Sequence, residues 1–210
     1  MGPDIYGLSR PKKPPVREVF VLCRVLTTAL WTRYTFEKSR GGPAMTPNEV
    51  PGFVIRPFTA GDVAYVIEGQ LMLYAREYGF TSDIWRDYLT GGVRALADNF
   101  DPDRDCILIP EKDGRLCGCI AIAHVDVATA QLRFFFVEDS LRGLGAGRQL
   151  MERAVGFCRE KGYKRVFLWT FSGLAAARHL YAAYGFTLTE TAENTDWGEP
   201  VTEERWDLVL

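Results

Sequence analysis

From Phe53 onward the chain switches repeatedly between hydrophobic periods of about 2 and about 3.6 residues, and each switch marks an element. "FVIRPF" has the alternation of a strand. "TAGD" offers Thr59 as a helix N-cap with Asp62 in the place of a capping-box acid, and a helix follows through "VAYVIEGQLMLYAREYG" to a stop at Gly79. "TSDIWRDYLTGGVRALADNF" predicts a second helix with a break at Gly91-Gly92. After the turn "DPDRD", the segment "CILIPEKDGRLCGCIAIAHVDV" reads as two strands around the hairpin dipeptide Asp113-Gly114. "QLRFFFV" is a strand with apolar residues on both faces, the pattern of a central strand covered by helices on each side.

An amphipathic helix follows over 145–161. Leu150, Ala154, Phe157 and Cys158 form its buried stripe, while Gln149, Glu152, Arg153 and Glu160 face outward and Gly162 takes the C-cap position. "KRVFLWT" is a strand, "GLAAARHLYAAYG" a helix ending at Gly185, and "FTLTE" and "ERWDLVL" are closing strands. The order is βααβββαβαββ, without internal repeats or low-complexity segments.

Residues 1–50 read differently. "VREVFVLCRVLTTALW" follows Lys12 and Lys13, but Arg24 interrupts the apolar run and no small-residue cleavage site follows, which argues against a signal peptide. The run is too short and too charged for a membrane span. It predicts an amphipathic helix over 16–38, with Arg17, Arg24 and Arg33 on the wetter side, packed on the body or on a partner chain. "SRGGPAMTPNEVPG" is a Gly/Pro-rich linker. The division is therefore a helical appendage with its linker, 1–50, and one domain, 51–210.

Composition narrows the function. With 47% hydrophobic and 25% charged residues the chain can build a core, and a formal net charge of −2 gives no electrostatic case for nucleic acid. The five cysteines are scattered, and Cys117-Gly-Cys119 has no second Cys or His pair near it, so reduced thiols are expected and a metal site is not.

The candidate chemistry lies in "LRGLGAGRQL", Leu141 to Leu150, straight after the central strand. Glycines at a helix start admit backbone turns that a Cβ forbids, and the first helical N–H groups have no internal partners. With the helix dipole these make an anion site suited to a pyrophosphate, flanked by Arg142 and Arg148. A glycine-rich connector with no ligand is the alternative. The segment is not the dinucleotide fingerprint, for want of an early βαβ unit with a ribose-binding acid, and not a P-loop, for want of Gly-Lys-Ser/Thr.

Arg142-x-x-Gly145-x-Gly147 after a buried strand resembles the Arg/Gln-x-x-Gly-x-Gly/Ala motif of the GNAT acyltransferase superfamily. "LWTFSGLAAARHLYAAYGF" resembles that family's second signature, and the likeness covers Phe53 to Leu210 in element order. "LYAREYGF", "NFDP", "LRFFFVEDSLRGLGAG" and "LWT" are most similar to the acetyltransferase half of proteins that fuse a MarR-type regulator to a GNAT domain. The resemblance implies an α/β fold with a mixed central sheet, helices on both faces, and a V-shaped split between two parallel strands, 131–137 and 164–170. Acetyl-CoA would enter the split. Its pantetheine would run along the backbone of Phe135, Phe136 and Val137, and its diphosphate would rest on Arg142, Gly143, Leu144, Gly145, Ala146, Gly147 and Arg148. The Val137 N–H would serve as oxyanion donor while an amine attacks the thioester directly. Tyr181 falls at the family's general-acid tyrosine, and Thr170 and Ser172 lie where a hydroxyl can meet the pantetheine.

Two positions depart from the family pattern. Gln131 stands where some members carry a glutamate base, and Leu174 where an asparagine often opens the tyrosine helix. Glu77, His124 and Asp126 are then the candidate bases, with a water relay as the alternative. Tyr74, Glu77, Tyr78 and Trp85 either line an acceptor pocket or pack the first two helices together. The functional expectation is an acetyl-CoA-dependent N-acetyltransferase acting on a primary amine, either a small-molecule or amino-acid-like acceptor or a protein lysine, cytoplasmic and capable of homodimerisation. The alternatives are a non-catalytic acetyl-CoA sensor linked to transcriptional regulation and a regulator fragment. Residues 1–50 are too short for a winged helix, which argues against the last.

Overall fold

The structure, a computed structural model, describes residues 52–210. The expected N-terminal helix, its linker and Cys23 lie outside the described residues. The elements run β1 (Val54–Pro57), α1 (Val63–Tyr78), α2 (Asp83–Asp98), β2 (Cys106–Lys112), β3 (Arg115–Leu116), β4 (Gly118–Asp126), β5 (Thr129–Val137), α3 (Ala146–Glu160), β6 (Arg165–Phe171), α4 (Ala175–Ala183), β7 (Thr187–Asn194) and β8 (Val201–Val209).

The strands form one mixed sheet in the order β1-β2-β4-β5-β6-β8-β7, with β3 paired to β2. Every pairing is antiparallel except β5 with β6, which α3 joins as a crossover. Asp113 and Gly114 both adopt positive φ, 51° and 73°, as a two-residue hairpin requires. The expected second strand of that hairpin is interrupted at Cys117 into β3 and β4. Asp62 accepts hydrogen bonds from the Thr59 amide (2.7 Å) and hydroxyl (2.9 Å) and from both terminal nitrogens of Arg56, tying the start of α1 to β1.

Two cores flank the sheet. On one face Leu150, Ala154 and Cys158 of α3 and Tyr181 of α4 pack with Leu132, Leu168 and Trp206 of the sheet. On the other, α1 and α2 cover Ile109, Phe134 and Phe136. Burial pushes the Cys106 and Cys158 thiols up to about 12, so both stay protonated at neutral pH.

The expected break in the second helix does not occur: α2 runs unbroken through Gly91-Gly92. The glycine serves packing instead. A Cβ at Gly92 would lie 2.7 Å from the Arg133 guanidinium and 3.3 Å from the Phe134 ring. Both of those side chains belong to β5, and their arrival on one face reflects a bulge. In the β4–β5 ladder, Ala121 pairs with Arg133 but Cys119 pairs with Phe136, so β5 carries an extra residue, and Phe134 has a φ of 51°. Before the bulge Leu132 faces α3; beyond it Phe135 and Val137 face that side while Phe134 and Phe136 face α1 and α2.

Opposite the bulge, Gly118 has a φ of 154°, and a Cβ there would stand 2.5 Å from the Phe136 carbonyl oxygen. Gly118→Ala is therefore expected to lose on the order of 2 kcal/mol or more in urea unfolding. A variant as stable as the parent would contradict the close approach of β4 and β5 at the bulge.

Candidate active site

The β5–β6 ladder lasts for four pairs, from Thr129↔Arg165 to Leu132↔Leu168, and ends where the bulge begins. Beyond it β6 continues along β8 through Phe171↔Glu203, and β5 continues along β4 through Val137↔Gly118. Two parallel strands thus part into a V, and the edge of β5 facing β6 has no strand partner over 133–137 among the described residues. The Glu138 N–H bonds the Cys117 carbonyl (2.9 Å), toward β4. Because neighbouring peptides along a strand point to opposite edges, the Val137 N–H points into the V.

The glycine segment follows. Asp139–Leu141 forms a 3₁₀ turn, Leu141–Leu144 closes a β-turn, and α3 starts at Ala146. Gly143 and Gly145 hold φ of 78° and 79°, conformations that glycine adopts without the strain a Cβ brings. The Arg142 and Leu144 amides close these turns on the Asp139 and Leu141 carbonyls, so neither is available to a ligand as the resemblance implied. The amides of Gly143, Gly145, Ala146, Gly147 and Arg148 have no backbone acceptor among the described residues and lie at the dipole-positive end of a helix of 15 residues.

Arg142 reaches back to α1. Its Nη2 donates to Glu77 Oε1 (2.7 Å) and Oε2 (3.0 Å), and its Nη1 lies 2.9 Å from Asp139. Arg76 closes the ring, donating to Glu77 (2.8 Å) and Asp139 (3.0 Å). Two cations and two carboxylates therefore clamp the C-terminal turn of α1 to the glycine turn. Partial burial pushes the Glu77 carboxyl up, but hydrogen bonds from Arg76 and Arg142 outweigh it and hold the group below the usual carboxylate value. A carboxylate held this way is a poor proton acceptor.

Tyr181, on α4, is 4% exposed and lies in the V from the α3–α4 side, its ring 6.3 Å from those of both Phe135 on β5 and Trp206 on β8. Burial raises its phenol far above the ordinary value; proximity to Tyr74 adds to this and the nearby Thr170 hydroxyl slightly opposes it. The proton therefore stays on at neutral pH. Thr170, 7% exposed at the end of β6, leaves its Oγ1 buried without a hydrogen-bond partner of good geometry. Ser172 is exposed just past β6, its amide bonded to the Thr202 carbonyl (2.9 Å).

His124 is not in the V. It pairs with Ala130 near the opposite end of β5, and its Nδ1 lies 2.9 Å from the Tyr163 hydroxyl, which itself donates to the Arg104 carbonyl (2.8 Å). The ring is engaged with Tyr163 at the paired end of the ladder, away from the V. Asp126 likewise belongs to the β4–β5 turn, where it accepts from the Ala128 amide (2.8 Å). Gln131 sits opposite Phe167, inside the paired part of the ladder.

On the α1–α2 side the aromatic residues pack one another. Tyr74 stacks on Trp85 (5.2 Å, interplanar angle 19°) and touches Tyr78 edge-on (5.5 Å), while Phe171, at the tip of β6, meets Tyr78 (5.1 Å) and Phe80 (5.0 Å). The rings do join the two helices, and in doing so they wall one side of the V. Trp197, from the β7–β8 turn, completes the wall against Trp85 (5.2 Å), where the Ser82 hydroxyl also bonds the Asp196 carbonyl (2.6 Å). Trp197 and Glu203, which lies beside Phe171 in the β6–β8 register, carry no local sequence signal, because only the fold brings them to α1 and β6. Gln70 had a signal: it lies one helical turn before Tyr74 on the same face, and it is 5% exposed with an unpartnered Oε1.

The chain was compared with known proteins. It is 33% identical over 101 residues to a mycothiol acetyltransferase from Beutenbergia cavernae, covering 48% of this chain and 33% of that protein. It is 31% identical over 98 residues to an amino-acid acetyltransferase from Mycobacterium tuberculosis, covering 47% and 49%. The chain thus spans only a third to about half the length of these relatives. Among solved structures, an acetyltransferase from Streptococcus agalactiae superposes with a TM-score of 0.62 at 20% identity, covering 77% of this chain and 100% of that one. A putative acetyltransferase from Salmonella typhimurium, solved with its cofactor acetyl-CoA, gives 0.59 at 20% identity, with 76% and 94% coverage. The model of the acetyltransferase (GNAT) family matches residues 71–186, which take in the second half of α1, the parted strands, the glycine turn and the Tyr181 helix. On that match, over more than half of its length, the chain belongs to the GNAT acetyltransferase family.

Proposed function

We propose that the protein transfers an acetyl group from acetyl-CoA to a primary amine, on a small-molecule or amino-acid-like acceptor, by direct attack of nitrogen on the thioester. The observation that carries this reading is the junction of three features: an unpaired edge of β5, a helix N-terminus with free amides directly after it, and a protonated phenol buried between the parted strands. Relatives named for mycothiol and for amino acids support a small acceptor.

In this reading the diphosphate is held by the amides of Gly143, Gly145, Ala146, Gly147 and Arg148, with the positive end of the α3 dipole behind them. Arg142, oriented by Glu77 and Asp139, adds a charged donor on the α1 side. The pantetheine lies along Phe135–Val137 as an added strand, satisfying the open edge of β5. Acetyl-CoA supplies the activated carbonyl. The Val137 N–H receives the oxyanion, an arrangement worth roughly 3–4 kcal/mol in the transition state. Tyr181 protonates the departing thiolate, whose ordinary pKa of about 8.5 makes an acid useful at neutral pH. Glu77 acts as a positioning residue for Arg142 rather than as a base.

Tyr181→Phe is expected to lower kcat by roughly 10²–10⁴ in steady-state assays while leaving acetyl-CoA affinity unchanged. Unchanged turnover would remove Tyr181 from the chemistry, and a protein with no turnover in either form would match a non-catalytic acetyl-CoA sensor instead. Arg142→Ala is expected to weaken acetyl-CoA binding by roughly tenfold in titration calorimetry at low salt, with a smaller effect at high salt. Equal affinities would show that the backbone amides carry the diphosphate alone.

A further inference from the structure

We propose that Gln70 seats the attacking nitrogen, and that the acceptor is an α-amine taken up as the neutral free base rather than an alkylammonium. The proposal rests on the acetyl-transfer reading above and names the acceptor class of that same site.

The starting point is an unfilled acceptor. Gln70 is 5% exposed, yet its Oε1 is buried with no hydrogen-bond partner among the described residues, an arrangement that native structures resolve with a water or a ligand. Its place in the fold says which. At the neighbouring Gly69 a Cβ would be 3.3 Å from the Phe136 ring, so this turn of α1 lies directly on β5. One turn later Tyr74, on the same helix face as Gln70, packs against Phe171 of β6 (6.3 Å). Gln70 therefore stands over the gap between the two strands, on the face opposite α4. Its amide interacts with the Tyr74 hydroxyl, and Tyr74 is near enough to Tyr181 to act on it electrostatically across the gap. Gln70 and Tyr74 from one face, and Tyr181 and Thr170 from the other, converge on the space where thioester and acceptor must meet.

None of these four groups is ionised at neutral pH, and the carboxylates around them are engaged. Glu77 is held by Arg76 and Arg142. On β8, Glu204 accepts from Arg178 (2.9 Å) and the Trp206 indole (3.0 Å), and Glu203 also has an interaction of its own. His124 lies at the far end of the sheet. Among the described residues the site thus offers nitrogen a neutral acceptor beside carboxylates that are already engaged, in surroundings whose burial disfavours an ammonium ion. An α-amine, with a pKa near 7.7–8.0, has roughly a tenth or more of its molecules neutral at pH 7; an alkylamine, at about 10.4, has about two orders of magnitude fewer.

Proton balance then needs no base other than Tyr181 itself. The neutral nitrogen forms the C–N bond, the C–S bond breaks, nitrogen loses one proton and sulfur gains one. Tyr181 gives its proton to sulfur and recovers one from nitrogen, directly or through the Tyr74 hydroxyl. Gln70 Oε1 accepts a hydrogen bond from the amine N–H and orients the lone pair toward the carbonyl carbon.

Phenylalaninamide and phenethylamine test the proposal, because they share a ring and differ in amine pKa. With wild-type protein at pH 7, kcat/KM is expected to favour phenylalaninamide by ~100-fold, and each profile is expected to rise with pH and level off at the pKa of its own amine. Gln70→Leu is expected to raise the KM for phenylalaninamide about tenfold or more, with acetyl-CoA affinity unchanged by calorimetry. Equal or better use of phenethylamine, acetylation of neither amine, a break at one fixed pH for both, or an unchanged KM in Gln70→Leu would overturn it. The wild-type measurements hold whether or not the variant folds. Failure of wild-type protein to bind acetyl-CoA would instead sink the transferase reading itself.

Discussion

The structure turns on a ladder that stops. Two parallel strands that stayed paired to their ends would form a closed sheet with no place for a ligand. Here β5 and β6 pair for four residues and then part, because an extra residue at Phe134 swings β5 away while β6 follows β8. The left-handed backbone of Phe134 and the bare Cα of Gly118 make that divergence possible. Packing fixes it, with Gly92 of α2 accommodating both side chains that the bulge sends to one face. The result is a strand edge left open between two parallel strands, with backbone groups free to pair with an added segment.

Other features of the same region are unsatisfied in the same sense. Among the described residues, Gln70 Oε1, Trp85 Nε1 and Thr170 Oγ1 are buried without partners, and the amides at the start of α3, largely open to solvent, have no backbone acceptors. Each of the three buried side-chain groups carries a penalty of about 1–3 kcal/mol, and all three border the V or its aromatic wall. The ring of Arg76, Glu77, Asp139 and Arg142 ties the helix that walls one side of the V to the glycine turn. The two halves of the site are therefore mechanically joined at the surface as well as through the sheet.

Much of this was legible in the sequence. The Asp113-Gly114 hairpin, the left-handed stop at Gly79 and the glycine turn before α3 are local signals, and the structure holds them where the pattern put them. The central strand and the second signature carried the family. What the pattern missed depends on tertiary placement. Gly91-Gly92 looks like a helix break until β5 arrives to fill the space a Cβ would take. His124 looks like a base until the register puts it at the closed end of the ladder beside Tyr163. Glu77 looks like a free acid until two arginines, one of them from the glycine turn, close on it. Trp197 reaches the α1–α2 wall only through the β7–β8 turn, a contact that no local pattern encodes.

The most direct test of this account is calorimetric titration of the protein with acetyl-CoA, beside Gly145→Asp. That substitution puts a carboxylate at the positive-φ N-cap of α3, against the amides that would face the diphosphate. Micromolar binding by the parent, lost in a folded variant, is the predicted result. Undiminished binding by the variant, or none by the parent, would contradict the assignment of the parted strands and glycine turn as the acyl-CoA site.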